Sequence, residues 1–351
     1  MLREAIQKVV RGAHLTRAES SQAIDSMLEG QVSAPQMAAF LVALRMKGET
    51  PDEIAGAALA LRRRVLAVPV REALRANLID TCGTGGDGAH TFNISTAAAF
   101  VAAAGGATVA KHGNRAVSSK CGSADVLAAL GVELELGPDG VAACLEQCGI
   151  GFLFAPRHHA AMRHVAPVRA ELGLRTLFNL LGPLTNPAGA VRQLLGVYAS
   201  ELVPVIAQTL AELGCARAFV VHGEGGLDEI STQGPTRICE VRGGEVRETQ
   251  VTPEALGVAA APLSELRGGD ARENAALLIA VLEGERSARR SAVLLNAGAA
   301  LAAAGIVEEI GEGVERATEL VDSGAARARL AELVRVSHAE KKKERASGAE
   351  G

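Results

Sequence analysis

The sequence predicts an α/β protein in which a small helical domain precedes a larger domain built on a mainly parallel sheet flanked by helices. Three observations predict it. Helix start signals recur at helix-length spacing over the first ~70 residues. After Asn77, short apolar runs alternate with helical segments, as in a sheet covered on both faces. Glycine-containing loops close the apolar runs that end near Asp80 and Lys111.

The start signals are Thr16-Arg17-Ala18-Glu19, Ser33-Ala34-Pro35-Gln36 and Thr50-Pro51-Asp52-Glu53. Each fits the reciprocal hydrogen bonding of a capping box. The last also has proline at the first helical position, where a missing N–H costs nothing. With amphipathic stretches such as 38–44 between them, four short helices are expected. Strands are predicted at 77–80, 107–111, 152–155, 194–198 and 217–222, and helices near 95–104, 123–130, 139–147 and 201–213. Sheets of this kind gather their chemistry at strand C-terminal ends, where Asp80, Lys111 and His222 fall. Residues 166–190 break the alternation and end in Asn179-Leu180-Leu181-Gly182-Pro183-Leu184-Thr185-Asn186-Pro187, a rigid connection expected to return to the helical domain. The small domain is therefore assigned 1–72 with 166–192, and the large one 73–165 with 193–337. Residues 338–351, with Lys341, Lys342 and Lys343, read as a frayed tail.

Composition narrows the function. A hydrophobic content of 48% supports a buried core, and a net charge of −4 argues against a broad nucleic-acid or membrane-surface role. The six cysteines form no C-x-x-C pair and no disulfide framework, which points to reduced thiols. Charges recur from Arg3 onward, unlike a signal peptide, and the alanine-rich runs 97–110 and 292–306 are too short or too broken to cross a bilayer. A cytoplasmic protein is expected.

Three phosphate-handling segments follow one another: Asp80-Thr81-Cys82-Gly83-Thr84-Gly85-Gly86-Asp87-Gly88, then Thr91-Phe92-Asn93-Ile94-Ser95-Thr96 entering an alanine-rich helix, then Lys111-His112-Gly113-Asn114-Arg115 continuing through Ser118, Ser119 and Ser123. Glycines let a backbone approach an anion, and helix N-termini offer free N–H groups. Three such segments in tandem suggest a substrate with more than one phosphate. The first formally satisfies G-x-G-x-x-G, but a dinucleotide site wants an acidic residue at the end of the next strand, and Lys111 stands there instead. No G-x-x-x-x-G-K-[ST] occurs, which excludes a P-loop NTPase. Ser95 and Thr96 are helix caps or phosphate and Mg²⁺ ligands. Asp228-Glu229, after the strand 217–222, suits Mg²⁺ or is a solvated pair. His158, His159 and His164 lack a convincing further zinc ligand. Arg169, on an apolar segment, is either a structural ion pair or the partner of a small carboxylate.

The runs GTGGDG, TFNIST and KHGNRAVSS with a following GSAD resemble the anthranilate phosphoribosyltransferases of tryptophan biosynthesis. The likeness continues through Val168-Arg169, residues 176–187 and Gly226-Leu227-Asp228-Glu229-Ile230-Ser231, over about residues 1–335. The resemblance implies a homodimer acting on 5-phosphoribosyl-1-diphosphate (PRPP) and anthranilate with Mg²⁺. It places Gly83, Gly86, Asp87, Thr91, Asn93, Ile94, Ser95, Thr96, Lys111, His112, Gly113, Asn114, Arg115, Ala116, Val117, Ser118, Ser119 and Ser123 around PRPP. Gly83, Asn114 and Arg169 would meet anthranilate, and Ser95, Asp228 and Glu229 the metal. His112 could accept the amine proton or orient a substrate or a loop. The alternatives are a pyrimidine nucleoside phosphorylase-like enzyme and a non-catalytic homologue that binds nucleic acid.

Overall fold

The computed structural model describes residues 2–116 and 120–348. Four helices come first: α1 (Leu2–Val10), α2 (Arg17–Leu28), α3 (Ala34–Lys47) and α4 (Pro51–Arg62). The capping boxes at Thr16/Glu19, Ser33/Gln36 and Thr50/Glu53 all form. Glu53 does more than cap. Its buried carboxylate accepts from the Thr50 N–H at 2.9 Å, the Leu15 N–H at 2.9 Å and Lys47 Nζ at 2.8 Å, so one side chain ties three helix ends together.

After a single turn, α5 (Glu72–Arg75), the chain builds β1 (Leu78–Gly83), α6 (Ile94–Ala104), β2 (Thr108–Gly113), α7 (Ser123–Ala129), α8 (Pro138–Cys148) and β3 (Ile150–Phe154). Three short helices follow, α9 (Ala155–His158), α10 (Ala166–Leu172) and α11 (Leu177–Leu181). Then come β4 (Arg192–Gly196), α12 (Leu202–Glu212) and β5 (Arg217–Gly223). The sheet order is β3-β2-β1-β4-β5-β6-β7, where β6 is Thr236–Arg242 and β7 Glu245–Val251. Strands β1 to β5 are mutually parallel, and β6 and β7 are antiparallel to their neighbours. Succession runs outward from β1 through β2 to β3, then resumes on the other side at β4. The order therefore reverses between β1 and β4, and such a reversal opens a crevice beyond the strand C-termini.

The β6–β7 hairpin was not expected from the sequence. Its outer strand, Glu-Val-Arg-Glu-Thr-Gln-Val, is largely exposed and charged, and an edge strand of that kind has no apolar run to announce it.

Alternation along the strands feeds two cores. Leu194, Phe219 and Val221 pack with α6 and with α13 (Ala271–Leu282), α14 (Ala288–Ala304), α15 (Ile310–Asp322) and α16 (Ala325–Gly348). Leu195, Ala218 and Val220 face the other way, into a core shared with α12, with α1–α4 and with the segment from Val165 to Leu184. Side chains of residues 165–184 share that core with the N-terminal helices. The alanine-rich run near 292–306 is the buried helix α14, and among the described residues no helix is long and apolar enough to cross a membrane.

The tail expected over 338–351 is corrected for 338–348, where α16 continues through Gly348; 349–351 lie outside the described residues. His338 Nε2 meets Gly131 O at 2.9 Å, and Glu344 Oε1 accepts from the Gly137 N–H at 2.7 Å. The polar composition suggested fraying because these partners lie some two hundred residues earlier in the chain. Truncation after Ser337 should lower the melting temperature by a few degrees, on the order of 1–2 kcal/mol. An unchanged thermal transition would return the segment to the status of a tail.

Candidate active site

The floor of the crevice is set by one close packing event. The segment after β5 turns back across the C-terminal ends of β1, β4 and β5, and each of those strands ends in glycine there. A Cβ on Gly196 would come to 1.6 Å from Asp228 O, one on Gly83 to 2.3 Å from Asp228 Oδ2, and one on Gly223 to 2.6 Å from Glu229 O. No side chain fits beneath this segment, so the glycines are what allow it to lie flat. Asp228 and Glu229 are thereby brought beside the glycine loop and the start of α6: the Gly85 N–H donates to Asp228 Oδ2 at 2.8 Å, and the Ser95 N–H donates to Glu229 Oε1 at 3.0 Å. Ser95 lies in the first turn of α6, where unpaired N–H groups and the helix dipole favour an anion.

This arrangement is electrostatically tense. Burial, followed by repulsion from Asp87, raises the Asp228 carboxyl from an ordinary 3.8 to about 7. Burial and repulsion from Asp228 raise Glu229 from 4.5 to about 8, against the pull of Lys111. Two desolvated carboxylates short of positive charge suit a divalent cation. Among the described residues no group of three His, Cys, Asp or Glu side chains can hold a metal, so a cation here needs water or substrate oxygens to complete its shell. Ser95 Oγ, 3.3 Å from Lys111 Nζ, is at the same place. These residues fit Mg²⁺.

Above the carboxylates the loop after β1 takes left-handed backbone at Gly85, Gly86 and Gly88, with φ of 68°, 74° and 77°. It is pinned by the Thr84 N–H on Gly196 O at 2.9 Å and by the Tyr198 N–H on Thr84 Oγ1 at 3.1 Å. Asp87 accepts from the Ala89 N–H at 3.1 Å and its charge acts on Asp228. In the next segment Thr91 bridges to Arg267, and Asn93 Oδ1 accepts from Asn274 Nδ2 at 2.9 Å. The side chain of Ile94 is buried in the core, so only its backbone can reach a ligand. Thr96 Oγ1 is also buried, with no partner among the described residues.

At the end of β2, Lys111 Nζ donates to Thr81 O at 2.6 Å; burial lowers its pKa against the attraction of Asp80. His112 is better placed to orient than to abstract a proton. Its Nδ1 meets Gly182 O at 3.1 Å, so the ring proton lies there, and its Nε2 accepts from His159 Nε2 at 3.1 Å. Burial, reinforced by His159, lowers the His112 pKa to about 3. Asp80, beneath it, accepts from the His112 N–H at 3.1 Å and from Asn186 Nδ2 at 2.8 Å. Burial raises this carboxyl to about 6.

The loop after Gly113 closes on Asp125, which accepts from the N–H groups of Ala116 and Gly122, both at 2.9 Å, and from Arg115 at 3.1 Å. Burial opposes ionisation there, but these donors hold the Asp125 carboxyl below its ordinary value. Asn114 Oδ1 accepts from the Arg115 N–H at 2.8 Å, and Asn114 O from Ser123 Oγ at 3.4 Å. Val117, Ser118 and Ser119, predicted PRPP residues, lie outside the described residues.

Arg169 stands apart on α10. Its guanidinium carbon is 5.7 Å from the Phe178 ring centroid, burial lowers its pKa, and it has no ion pair among the described residues. Among those residues no hydrogen bond joins it to Gly83 or Asn114. A partly desolvated guanidinium with no ion pair is free to take up a carboxylate. Asp125, Asn186 and Arg175 were given no role from the sequence; Asp80 was placed at a chemistry-bearing strand end without a partner, and His159 was weighed only as a zinc ligand. A separate cavity of about 240 Å³, lined by Arg62, Pro183, Asn186 and Gln193 among others, contains no predicted site residue.

A helical bundle domain of the glycosyl transferase family matches residues 3–65, and the a/b domain of that family matches residues 75–327. The anthranilate phosphoribosyltransferase of Anaeromyxobacter sp. (strain K) is 56% identical over 334 residues, covering 95% of this chain and 98% of the relative. The chain belongs to the anthranilate phosphoribosyltransferase family. Among solved members, the Thermus thermophilus structure matches with a TM-score of 0.90 at 48% identity, covering 95% of this chain and 99% of that one. The Saccharomyces cerevisiae anthranilate phosphoribosyltransferase in complex with PRPP and Mg gives 0.87 at 29% identity, covering 96% and 98%.

For this family member the raised carboxyl pKa values make a pH prediction. In the native state Asp228 and Glu229 hold protons that the unfolded chain, with ordinary values of 3.8 and 4.5, has already released. Their contribution to stability therefore falls as pH rises from about 4 to 8. Metal-free protein should melt several degrees lower at about pH 8.5 than at about pH 6, and Asp228→Asn with Glu229→Gln should flatten that slope. Identical slopes in both proteins would mean the pair ionises without penalty.

Proposed function

We infer that this chain transfers the 5-phosphoribosyl group of PRPP to the amine of anthranilate, releasing diphosphate, as a step in tryptophan biosynthesis. The carrying observation is the convergence at one crevice of the glycine loop, the α6 N-terminus, Lys111 and the Asp228–Glu229 pair. That set is complementary to a polyphosphate with its cation. Relatives support the substrate pair: the S. cerevisiae enzyme is known with PRPP and Mg and, separately, with 4-fluoroanthranilate.

Bound at Asp228, Glu229 and Ser95, Mg²⁺ would neutralise charge on the departing diphosphate. The loop N–H groups and Lys111 add to that neutralisation from a preorganised, partly dehydrated site. The amine nitrogen forms a bond to C1′ of the ribose while the C1′–O bond to diphosphate breaks, and the nitrogen then loses a proton. An aniline-type amine is already a nucleophile, so the reaction does not call on His112 as a base, consistent with its depressed pKa. Arg169 holds the anthranilate carboxylate and so aims the amine. The same reading includes a homodimer, a cytoplasmic location, and closure of 1–72 with 166–192 on 73–165 with 193–337 to align the two substrates.

The direct test follows anthranilate fluorescence with purified protein, PRPP and Mg²⁺. The signal should fall only when both are present and should stop falling on addition of EDTA. Loss of signal without PRPP, or no loss in its presence, would overturn the assignment. Asp228→Ala with Glu229→Ala should reduce turnover by about a hundredfold or more; a double variant with the wild-type rate and Mg²⁺ dependence would remove the pair from the metal site. Arg169→Ala should raise the KM for anthranilate roughly 10- to 100-fold with little change for PRPP, and equal effects on both would contradict its role.

A further inference from the structure

Arg175 belongs to none of the phosphate segments, yet it reaches them. It lies in the connection Gly173–Thr176 between α10, which bears Arg169, and α11. That connection is fixed at both ends. Gly173 closes α10 in left-handed backbone with its N–H on Arg169 O at 3.2 Å, and the Thr176 N–H donates to Asn179 Oδ1 at 3.0 Å. From it, Arg175 Nη2 donates to Gly86 O in the glycine loop. The guanidinium also lies over the Tyr198 ring, 4.2 Å from its centroid. Tyr198 is itself tied to the loop through its N–H on Thr84 Oγ1. Arg45, in the last turn of α3, and Glu49, just beyond that helix, act on the same phenol. Arg175 has no carboxylate partner among the described residues, so no ion pair accounts for where it sits.

We propose that Arg175 is a positioning residue that latches the glycine loop to the α10–α11 connection, preorganising the loop for PRPP. This rests on the assignment of PRPP to the loop. The physical case is entropic. Gly85, Gly86 and Gly88 sit in left-handed backbone, and glycine has more freedom to lose on ordering than any other residue. A loop released from Arg175 must be ordered by the ligand itself, which weakens binding. The latch also sets direction. In a trans peptide the carbonyl and the next N–H point oppositely, so holding Gly86 O toward Arg175 fixes the aim of the Asp87 N–H.

The chain carries its own reporter, since it has one tyrosine and no tryptophan. Intrinsic emission therefore comes from Tyr198, the ring beneath Arg175. Full-length wild-type, Arg175→Ala and Arg175→Lys proteins should be titrated with PRPP and Mg²⁺ while tyrosine emission is followed, with melting temperatures and KM values measured in parallel. The latch predicts a saturable change in the wild type and altered baseline emission in Arg175→Ala. It also predicts a PRPP midpoint and KM about tenfold higher in that variant. The KM for anthranilate should move less than about twofold and the melting temperature hardly at all. Lysine should restore part of the PRPP affinity by donating to Gly86 O, but not the baseline, because an ammonium does not stack flat on a ring. A PRPP midpoint and KM unchanged in Arg175→Ala overturn the latch. Equal weakening for both substrates with a lowered melting temperature overturns it too, showing a structural contact instead. A wild type that neither binds PRPP nor consumes anthranilate brings down the underlying function, a result distinct from a working wild type with an indifferent variant.

Discussion

The site depends on one steric constraint, the passage of the segment 227–231 over three strand ends that must be glycine. Gly83, Gly196 and Gly223 belong to strands that are neighbours in space but widely separated in sequence. Their missing side chains let a carboxylate-bearing segment settle onto the crevice floor, within hydrogen-bonding distance of Gly85 N and Ser95 N. Everything chemical then follows from proximity. A helix N-terminus and a glycine loop, each a binder of anions, are already partly satisfied by protein carboxylates, and the desolvated carboxylates call for a cation to accompany any phosphate.

A buried polar network supports this floor. Asp80 takes the His112 N–H and Asn186 Nδ2, Asn186 Nδ2 also donates to Ala110 O at 2.8 Å, and the His112 ring bridges Gly182 O and His159. The connection containing Gly182 and Asn186 is thereby fastened to the central strands, below the glycine loop. Such groups stabilise only when they are paired; His159 Nδ1 and His158 Nε2 remain buried without partners among the described residues. The tension at Asp228 and Glu229 is of the same kind: stability is given up where a ligand is to be held.

Much of this was legible in the chain. The capping boxes at Thr16, Ser33 and Thr50 are local signals that act within one helical turn, and all three form. The parallel strands announced themselves as apolar runs because both of their faces are buried. The exposed strand Glu245–Val251 and the helical end at 338–348 did not, since an edge and a polar helix are held by distant partners rather than by their own apolar residues. Among the site residues, glycine loops and the Asp228–Glu229 pair stood out by residue type and spacing. Asp125 and Arg175 did not, because nothing in their immediate neighbours records that their side chains reach Ala116 and Gly86.

The sequence by itself determined the helix starts, the parallel α/β class and the glycine-rich turns at the strand ends, all consequences of interactions between residues a few positions apart. Only the tertiary structure decided that Asp228 lies under the glycine loop, that His112 is neutral and hydrogen-bonded at both ring nitrogens, and that Arg175 spans from α10–α11 to Gly86. Those outcomes turn on desolvation and on contacts between residues dozens to more than a hundred positions apart. Burial and distance, the quantities that set a pKa or aim a side chain, exist only once the chain has closed on itself.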